Sequence, residues 1–472
     1  MKKTFILFLT IFFIGKIAAQ TKLPNTISNT DKVYGLSKYW NEVNFNFAYL
    51  NKINKKKWES DYKLLIEKVQ KTKNDYEYYL LLQKFAASLK DGHTNVFFPN
   101  SFNQFMLNGE FGNYKFSLER IEDKVIITKI NKSKKNEIPL GTEIIEVNNL
   151  PTNKYLEKYV NPHIAYSTKP FLKAYSVSQM FYQPKGTVFN LKLKKPNGKI
   201  LSKKLTIKPV TEKEMYPNNI KEGIFNFKWL KNKTVYVALN SFESVKIDSL
   251  FKSKLSEIKK AKGLIIDLRK NFGGNSTHAF SILKNLTNDN EIEYSKSQIL
   301  SYNPLFKLYG TRYKIRAKDT AQGSSENRKM LSRAYLTAKD SYFYKIPFNT
   351  FTNNFKKTDR IVIPTVILIG PFTASSSEDF LVATDKQKHM IKIGEATAGT
   401  TGMPMSFKLP GGGWARICIK KEIYPDGREF VGHGIQPNIK ISRSLQDFME
   451  EKDPVLERAI NYLNNKSIAF QN

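Results

Sequence analysis

The hydrophobic period of this chain changes twice, and each change limits what the adjoining stretch can fold into. Over 33–90 apolar residues recur at steps of three and four with no internal proline, as in YKLLIEKVQKT (62–72) and YEYYLLLQKFAASL (76–89). That is the period of one buried helix face, and the block ends at Asp91-Gly92. From about 110 to 210 apolar and polar residues alternate in short runs: DKVIITKI (123–130), GTEIIEVNN (141–149) and VFNLKLKK (188–195). These are half-buried strands, with a short helix over 153–160 and a loop around Pro162 and Pro170 between them. Beyond 230 apolar strands alternate with helices: TVYVALNSF (234–242), a helix over 248–260, GLIIDLR (263–269), a helix over 276–286, VIPTVILIG (362–370) and a helix from 376. Such alternation predicts a largely parallel core sheet with helices on its faces. The stretch 300–360 is polar with little period, and reads as a long insertion or lid.

The expected fold class is therefore α+β and multidomain. An N-terminal helical region (33–104) precedes a β-rich domain (105–212). An α/β core (230–450) with its insertion at about 300–360 follows, and then a C-terminal helix and tail (451–472). With 472 residues, 41% of them hydrophobic, each part is long enough to bury a core of its own. The single cysteine, Cys418, excludes an intramolecular disulfide and any multi-cysteine metal site.

Residues 1–20, MKKTFILFLTIFFIGKIAAQ, have a basic start, an apolar middle and a small-residue end. This is the layout of a secretory signal peptide, cleaved after Ala19 or Gln20. The apolar run is shorter than the ~20 residues of a membrane span. The expected location is the periplasm or the extracellular space, with no stable membrane insertion once the signal is removed. Net charge is +34, from 76 Lys+Arg against 42 Asp+Glu. Lysines spread along the whole chain, without aromatic-interleaved arginines, describe solvated faces rather than a nucleic-acid partner.

Three segments could carry chemistry. The first, Pro371 to Phe380, joins the apolar strand 362–370 to an apolar-periodic helix. A serine in such a bend is presented at the carboxyl edge of a sheet, with the first helix amides facing any charge that develops beside it. Serine with Glu378 three residues on also fits a capping box, so this segment alone leaves catalysis and capping open. The second, Ile265 to Gly274, runs an apolar strand into a glycine pair, where backbone N–H groups can approach a ligand closely. It lacks the Gly-Lys-Ser/Thr ending of a phosphate loop, and its Asp267 and Arg269 read as a structural pair. The third, Asp91-Gly92-His93-Thr94, places a histidine in a turn, and histidine is the commonest general base near neutral pH. His163, His278 and His389 are tied to nothing, and no two histidines have ligand spacing, so no metal and no cofactor are expected.

In this order, Asp-Gly-His-Thr (91–94), Ile-Asp-Leu-Arg-x-Asn-x-Gly-Gly (266–274), Thr-Ala-Ser-Ser-Ser-Glu (373–378), Gly-Glu-Ala-Thr-Ala-Gly (394–399) and Gly-His-Gly-Ile-Gln-Pro (432–437) resemble the tail-specific, or C-terminal processing, peptidase superfamily. The resemblance implies a serine peptidase with a crotonase-like α/β catalytic core and a PDZ-like domain over 105–212. It implies that Ser375 is the nucleophile and that the amides of Gly273 and Ser376 form the oxyanion hole. Processing peptidases carry a lysine base directly after the glycine of the Thr-x-Gly loop, and that position here is Thr400. The chain is instead similar to the tricorn-like and interphotoreceptor-retinoid-binding-protein-like branch, in which a histidine near the N-terminus is the base; His93 takes that role. The glutamate of that branch corresponds to Val431, leaving Glu429 or Glu378 to orient His93. The implied partner is a polypeptide substrate. A catalytically inactive secreted peptide-binding protein on the same fold is the alternative, favoured by Thr400 and by the missing glutamate.

Overall fold

Three helices, Asn29–Asn46, Lys55–Gln70 and Asp75–Ala87, fill the N-terminal block of the computed structural model, which describes residues 22–218, 223–300, 304–347 and 349–469. The signal peptide expected over 1–20 lies outside the described residues. Ser28, Asn54 and Asn74 each accept the backbone N–H three residues on, supplying a partner that the first helical turn lacks. In the third helix Tyr78, Leu82, Phe85 and Ala86 are buried, and Trp58 of the second stacks on Phe85 at a centroid distance of 3.8 Å. The chain then runs through 88–94 into strand Asn95–Phe97, which pairs antiparallel with Trp414–Cys418, Asn95 opposite Arg416. That pairing brings the turn holding His93 onto a segment from the far end of the chain.

The middle of the chain has its own apolar core. Strands Lys124–Asn131, Glu143–Val147, Val188–Lys194 and Ile200–Thr206 form an antiparallel sheet, with Phe116–Ile121 added to the first of them. Along Val188–Lys194 the burial alternates strictly, and Phe189, Leu191 and Leu193 face the core. A helix, Lys169–Gln179, occupies part of the stretch expected to be a loop around Pro170. Pro170 stands in its first turn, where the missing N–H would have no helical partner anyway, so the proline marks a helix start and not a break.

The second half is built on a six-stranded sheet in the order Phe225–Trp229, Thr234–Leu239, Gly263–Asp267, Thr365–Ile369, Met390–Gly394, Ile439–Lys440. All neighbours are parallel except the first, which is antiparallel. Alternate residues point into different cores. Leu264, Ile266 and Leu268 pack toward helices Ser276–Leu283 and Ser376–Ala383 and share a core with the N-terminal helices. Ile265, Val366 and Leu368 meet Val455, Ala459 and Leu463 of the C-terminal helix Pro454–Ala469. Asp267 and Arg269 do pair, at 2.7 Å, and Arg269 also binds Asp453 at 2.8 Å, tying the start of that helix to the strand end.

The insertion corrects the expectation of an irregular stretch. It holds two helices, Pro304–Arg312 and Ser325–Ala338, and short strands on either side. The helices cross at small residues: a Cβ on Gly310 would stand 2.2 Å from the Ala334 carbonyl oxygen. Only Ala334 and Thr337 of the second helix are buried. An apolar stripe that thin leaves almost no 3.6-residue period to detect. No helix among the described residues is long and apolar enough to cross a membrane.

Candidate active site

Ser375 follows strand Thr365–Ile369 and caps the fully buried helix Ser376–Ala383. Its φ of 57° and ψ of −123° are costly for a residue with a Cβ. The conformation is held from three sides. The Ser375 N–H donates to the Thr400 carbonyl at 2.9 Å and to Glu378 Oε2 at 3.2 Å, and Ala374 N–H donates to the Asn271 carbonyl at 3.1 Å. The neighbouring hydroxyls are tied to the glycine turn: Ser376 Oγ to the Gly274 carbonyl at 2.5 Å, Ser377 Oγ to that of Asn271 at 3.1 Å. Ser375 is the serine of the three whose hydroxyl is not bound to that turn. Gly273 lies directly against it, since a Cβ there would stand 2.6 Å from Ser375 Cβ and 2.9 Å from the Ser376 amide nitrogen.

His93 reaches the same place through Thr400. Its Nδ1 is 2.5 Å from Thr400 Oγ1, and the Thr400 carbonyl is the acceptor for Ser375 N–H. One residue therefore contacts both expected partners, which are 282 positions apart in the chain. The turn around His93 is braced by Thr94 Oγ1 donating to Asp91 at 2.5 Å, by Cys418 N–H donating to Thr94 Oγ1 at 3.1 Å and by Gly92 N–H donating to Ser167 Oγ at 2.9 Å. Burial, and next the nearby Arg416 guanidinium, depress the imidazole to about 3, so the ring is neutral at neutral pH. A neutral ring is the form that can accept a proton.

Glu378 does not reach His93. Its carboxylate is fully buried and accepts from Thr397 Oγ1 at 2.5 Å, Gly399 N–H at 2.8 Å and Thr400 N–H at 2.9 Å, besides Ser375 N–H. It pins the 397–400 loop to the serine turn, and burial pushes its carboxyl up to about 7 against those hydrogen bonds. The other candidate, Glu429, lies elsewhere. It is bonded to Lys52 at 2.8 Å and Lys421 at 2.5 Å, and those contacts, Lys421 first, hold its carboxyl down at about 2. Val431, at the position of the absent glutamate, is buried in the apolar core.

The glycine turn differs in detail from the expectation. The Gly273 N–H donates to Asn271 Oδ1 at 2.8 Å, so it is already engaged, whereas the Ser376 amide has no hydrogen-bond partner among the described residues. Asn271 stands in the 266–274 motif without a role attached to it, because the amide that its side chain meets is brought to it only by the folded turn. His163, His278 and His389 each bond a backbone carbonyl, those of Leu80, Phe242 and Leu286. Among the described residues no group of three His, Cys, Asp or Glu could hold a metal ion.

An aromatic wall adjoins the serine. Phe372 packs on Phe272 at 5.2 Å and on Phe171 at 6.2 Å, and Phe171 stacks on Tyr175 of helix Lys169–Gln179. Phe272, next to Gly273, is 55% exposed. The middle domain thus meets the serine turn through aromatic side chains, and it meets the 397–400 loop through Thr168, whose methyl would touch a Cβ on Gly399 at 2.6 Å.

Residues 233–441 match the model of peptidase family S41. Mature CPAF has the same fold, with a TM-score of 0.67 at 15% identity over 94% of this chain and 97% of that one. Mature CPAF complexed with lactacystin gives 0.65 at 13% identity over 94% and 98%. No curated protein matches the sequence. The segment 233–441 is thus similar to peptidase family S41, and the chain as a whole shares its fold with mature CPAF.

Proposed function

We propose that this protein is an exported serine peptidase that cleaves extended polypeptides or their C-terminal tails through an acyl-enzyme, with Ser375 as nucleophile and His93 as base. One observation carries the reading: Thr400 bonds His93 Nδ1 through its hydroxyl and Ser375 N–H through its carbonyl, at the head of a buried helix. Ser375 Oγ attacks the peptide carbonyl carbon as its proton passes to His93 Nε2. The carbonyl oxygen becomes an oxyanion held by the open Ser376 amide, and by Gly273 N–H once that exchanges Asn271 Oδ1 for the substrate. The C–N bond then breaks as His93 returns the proton to the leaving amine. Water, deprotonated by His93 in turn, attacks the ester carbonyl carbon, and the C–O bond breaks as His93 gives its proton to Ser375 Oγ, releasing the acid.

In this reading 1–20 is a signal peptide, 33–104 the helical region that supplies the base, and 105–212 a PDZ-like domain. The crotonase-like catalytic core spans 230–450, with the insertion at about 300–360, and 451–472 is the C-terminal helix and tail. The polypeptide adds a strand to the PDZ-like domain, in the periplasm or outside the cell, with no nucleic acid, metal or cofactor involved.

The inactive peptide-binding alternative is favoured by Val431 and by the engaged Gly273 amide. Peptide hydrolysis and labelling by a serine-directed phosphonate separate the two. Turnover lost in both Ser375→Ala and His93→Ala supports the peptidase. Tail binding with no cleavage and no labelling supports the binding protein.

A further inference from the structure

We infer that Thr400 is the positioning residue of the base, its hydroxyl standing where serine–histidine enzymes commonly place a carboxylate; the inference rests on the peptidase reading above. In a serine–histidine pair the nitrogen remote from the serine must be bonded, so that the ring is held and the proton is kept off the nitrogen that faces the nucleophile. Here that bond is His93 Nδ1 to Thr400 Oγ1 at 2.5 Å, between two buried residues. With Nδ1–H donated to Thr400, Nε2 keeps its lone pair for the proton of Ser375.

None of the nearby carboxylates is bonded to the His93 ring, whose Nδ1 partner is Thr400, although the buried Oδ1 of Asp91 has no hydrogen-bond partner among the described residues. Asp91 accepts from Thr94, Glu378 from Ser375, Thr397, Gly399 and Thr400, and Glu429 from Lys52 and Lys421. Thr400 is itself held through its backbone and its side-chain packing. Its N–H donates to Glu378 at 2.9 Å, its carbonyl accepts from Ser375, and its side chain lies against Gly92, whose Cβ would stand 3.1 Å from the methyl. The residue before His93 is therefore a glycine because the threonine occupies the space of a side chain. The Thr401 hydroxyl, next along, lies within hydrogen-bond distance of both Glu422 at 2.9 Å and Asp379 at 3.2 Å, which anchors the loop beyond it.

A hydroxyl differs from a carboxylate in one consequential way. It orients the ring, and sets the tautomer only by accepting from Nδ1–H rather than donating to it, but it brings no negative charge, so it does not raise the basicity of the imidazole or stabilise the imidazolium that forms in the transition state. The site is oriented without a charge relay partner.

The test uses the mature chain, nitrogen-15-labelled at histidine, in wild type, T400S and T400V. In wild type at neutral pH the His93 resonances should show a protonated Nδ1 and a bare Nε2, and T400S should keep this pattern. T400V, of the same shape without the hydroxyl, should lose the tautomer preference. Its kcat should fall at least about tenfold, with a ceiling near the ~10⁴-fold loss known for a wrong tautomer, while KM stays near wild type and T400S retains most of the rate. A wild-type His93 protonated at Nε2, or a T400V enzyme with wild-type kcat and pH profile, overturns the inference. Should T400V fail to fold, the wild-type tautomer and the T400S rate still decide. The resonance measurement needs no substrate, so a wild type that neither cleaves nor labels sinks the peptidase reading without obscuring the tautomer result.

Discussion

Gly92 packs directly on Thr400: a Cβ on residue 92 would stand 2.9 Å from Thr400 Oγ1 and 3.1 Å from its Cβ and methyl. No side chain fits there unless the threonine moves, and the threonine is bonded to His93. Gly92→Ala should therefore act on catalysis through geometry. We expect kcat to fall by up to about 100-fold, the penalty of a displacement near 1 Å, with KM little changed. The overpacking should cost about 1–3 kcal/mol of stability. Steady-state kinetics beside a thermal melt check both, and an alanine variant as active as wild type would contradict the contact.

The acid limit of activity should lie well below the usual histidine range. Burial and Arg416 hold His93 at about 3 in the folded protein, against about 6.5 for the free residue. The folded state thus binds fewer protons than the unfolded chain between those values, and this group's contribution to stability falls as pH drops through that window. We expect kcat/KM to show no protonation of the base near pH 6.5. A fully developed acid limb at that pH, unchanged in a Glu378→Gln variant, would show that the imidazole is not buried as described.

Glu378 titrates in the opposite sense. Its carboxyl is raised to about 7, so between about 4.5 and 7 the folded state holds a proton that the unfolded chain has lost. Stability from this group therefore decreases as pH rises through that interval and levels off above it. A shift of that size corresponds to about 3 kcal/mol. Denaturant titrations of wild type against Glu378→Gln at pH 4.5 and 7.5 should differ by an amount of that order. Glu378→Ala should be worse at every pH, since it leaves the buried amides of Gly399 and Thr400 without an acceptor at roughly 1–3 kcal/mol each.

The exposed Phe272 ring offers an apolar contact to a substrate side chain beside Ser375. Phe272→Ala should raise KM for peptides with a large apolar residue near the scissile bond by about tenfold, the equivalent of one partly buried aromatic contact. Peptides with small residues there should be affected less. A profile across matched peptides that shifts uniformly, or not at all, would remove Phe272 from substrate selection.

Much of the architecture was legible because local period reports which face of an element is buried. The strands 234–242, 263–269 and 362–370 were visible as continuous apolar runs, which is how a strand covered on both faces must read. Helix Lys169–Gln179 was not, because Pro170 reads as a breaker until the helix start is known. The two helices of the insertion were missed because they bury few residues, so their sequence has no stripe to show.

At the site, the chain's own order determined the serine turn, the glycine pair beside it and the histidine turn, since each is built from contiguous residues with special backbone or side-chain needs. Which group meets His93 is another kind of question. In the sequence Thr400 stands only as the place of an absent lysine, and Glu429 and Glu378 are offered alike as partners of His93. The contact between His93 and Thr400 spans 307 positions and depends on two things no local pattern encodes. One is the pairing of Asn95–Phe97 with Trp414–Cys418; the other is the clamp of Glu378 on the 397–400 loop. Hydrogen bonds are directional and reach about 3 Å, so their partners are decided by packing between distant segments. The same holds for Gly273, whose amide the sequence offered to a substrate and the fold gave to Asn271.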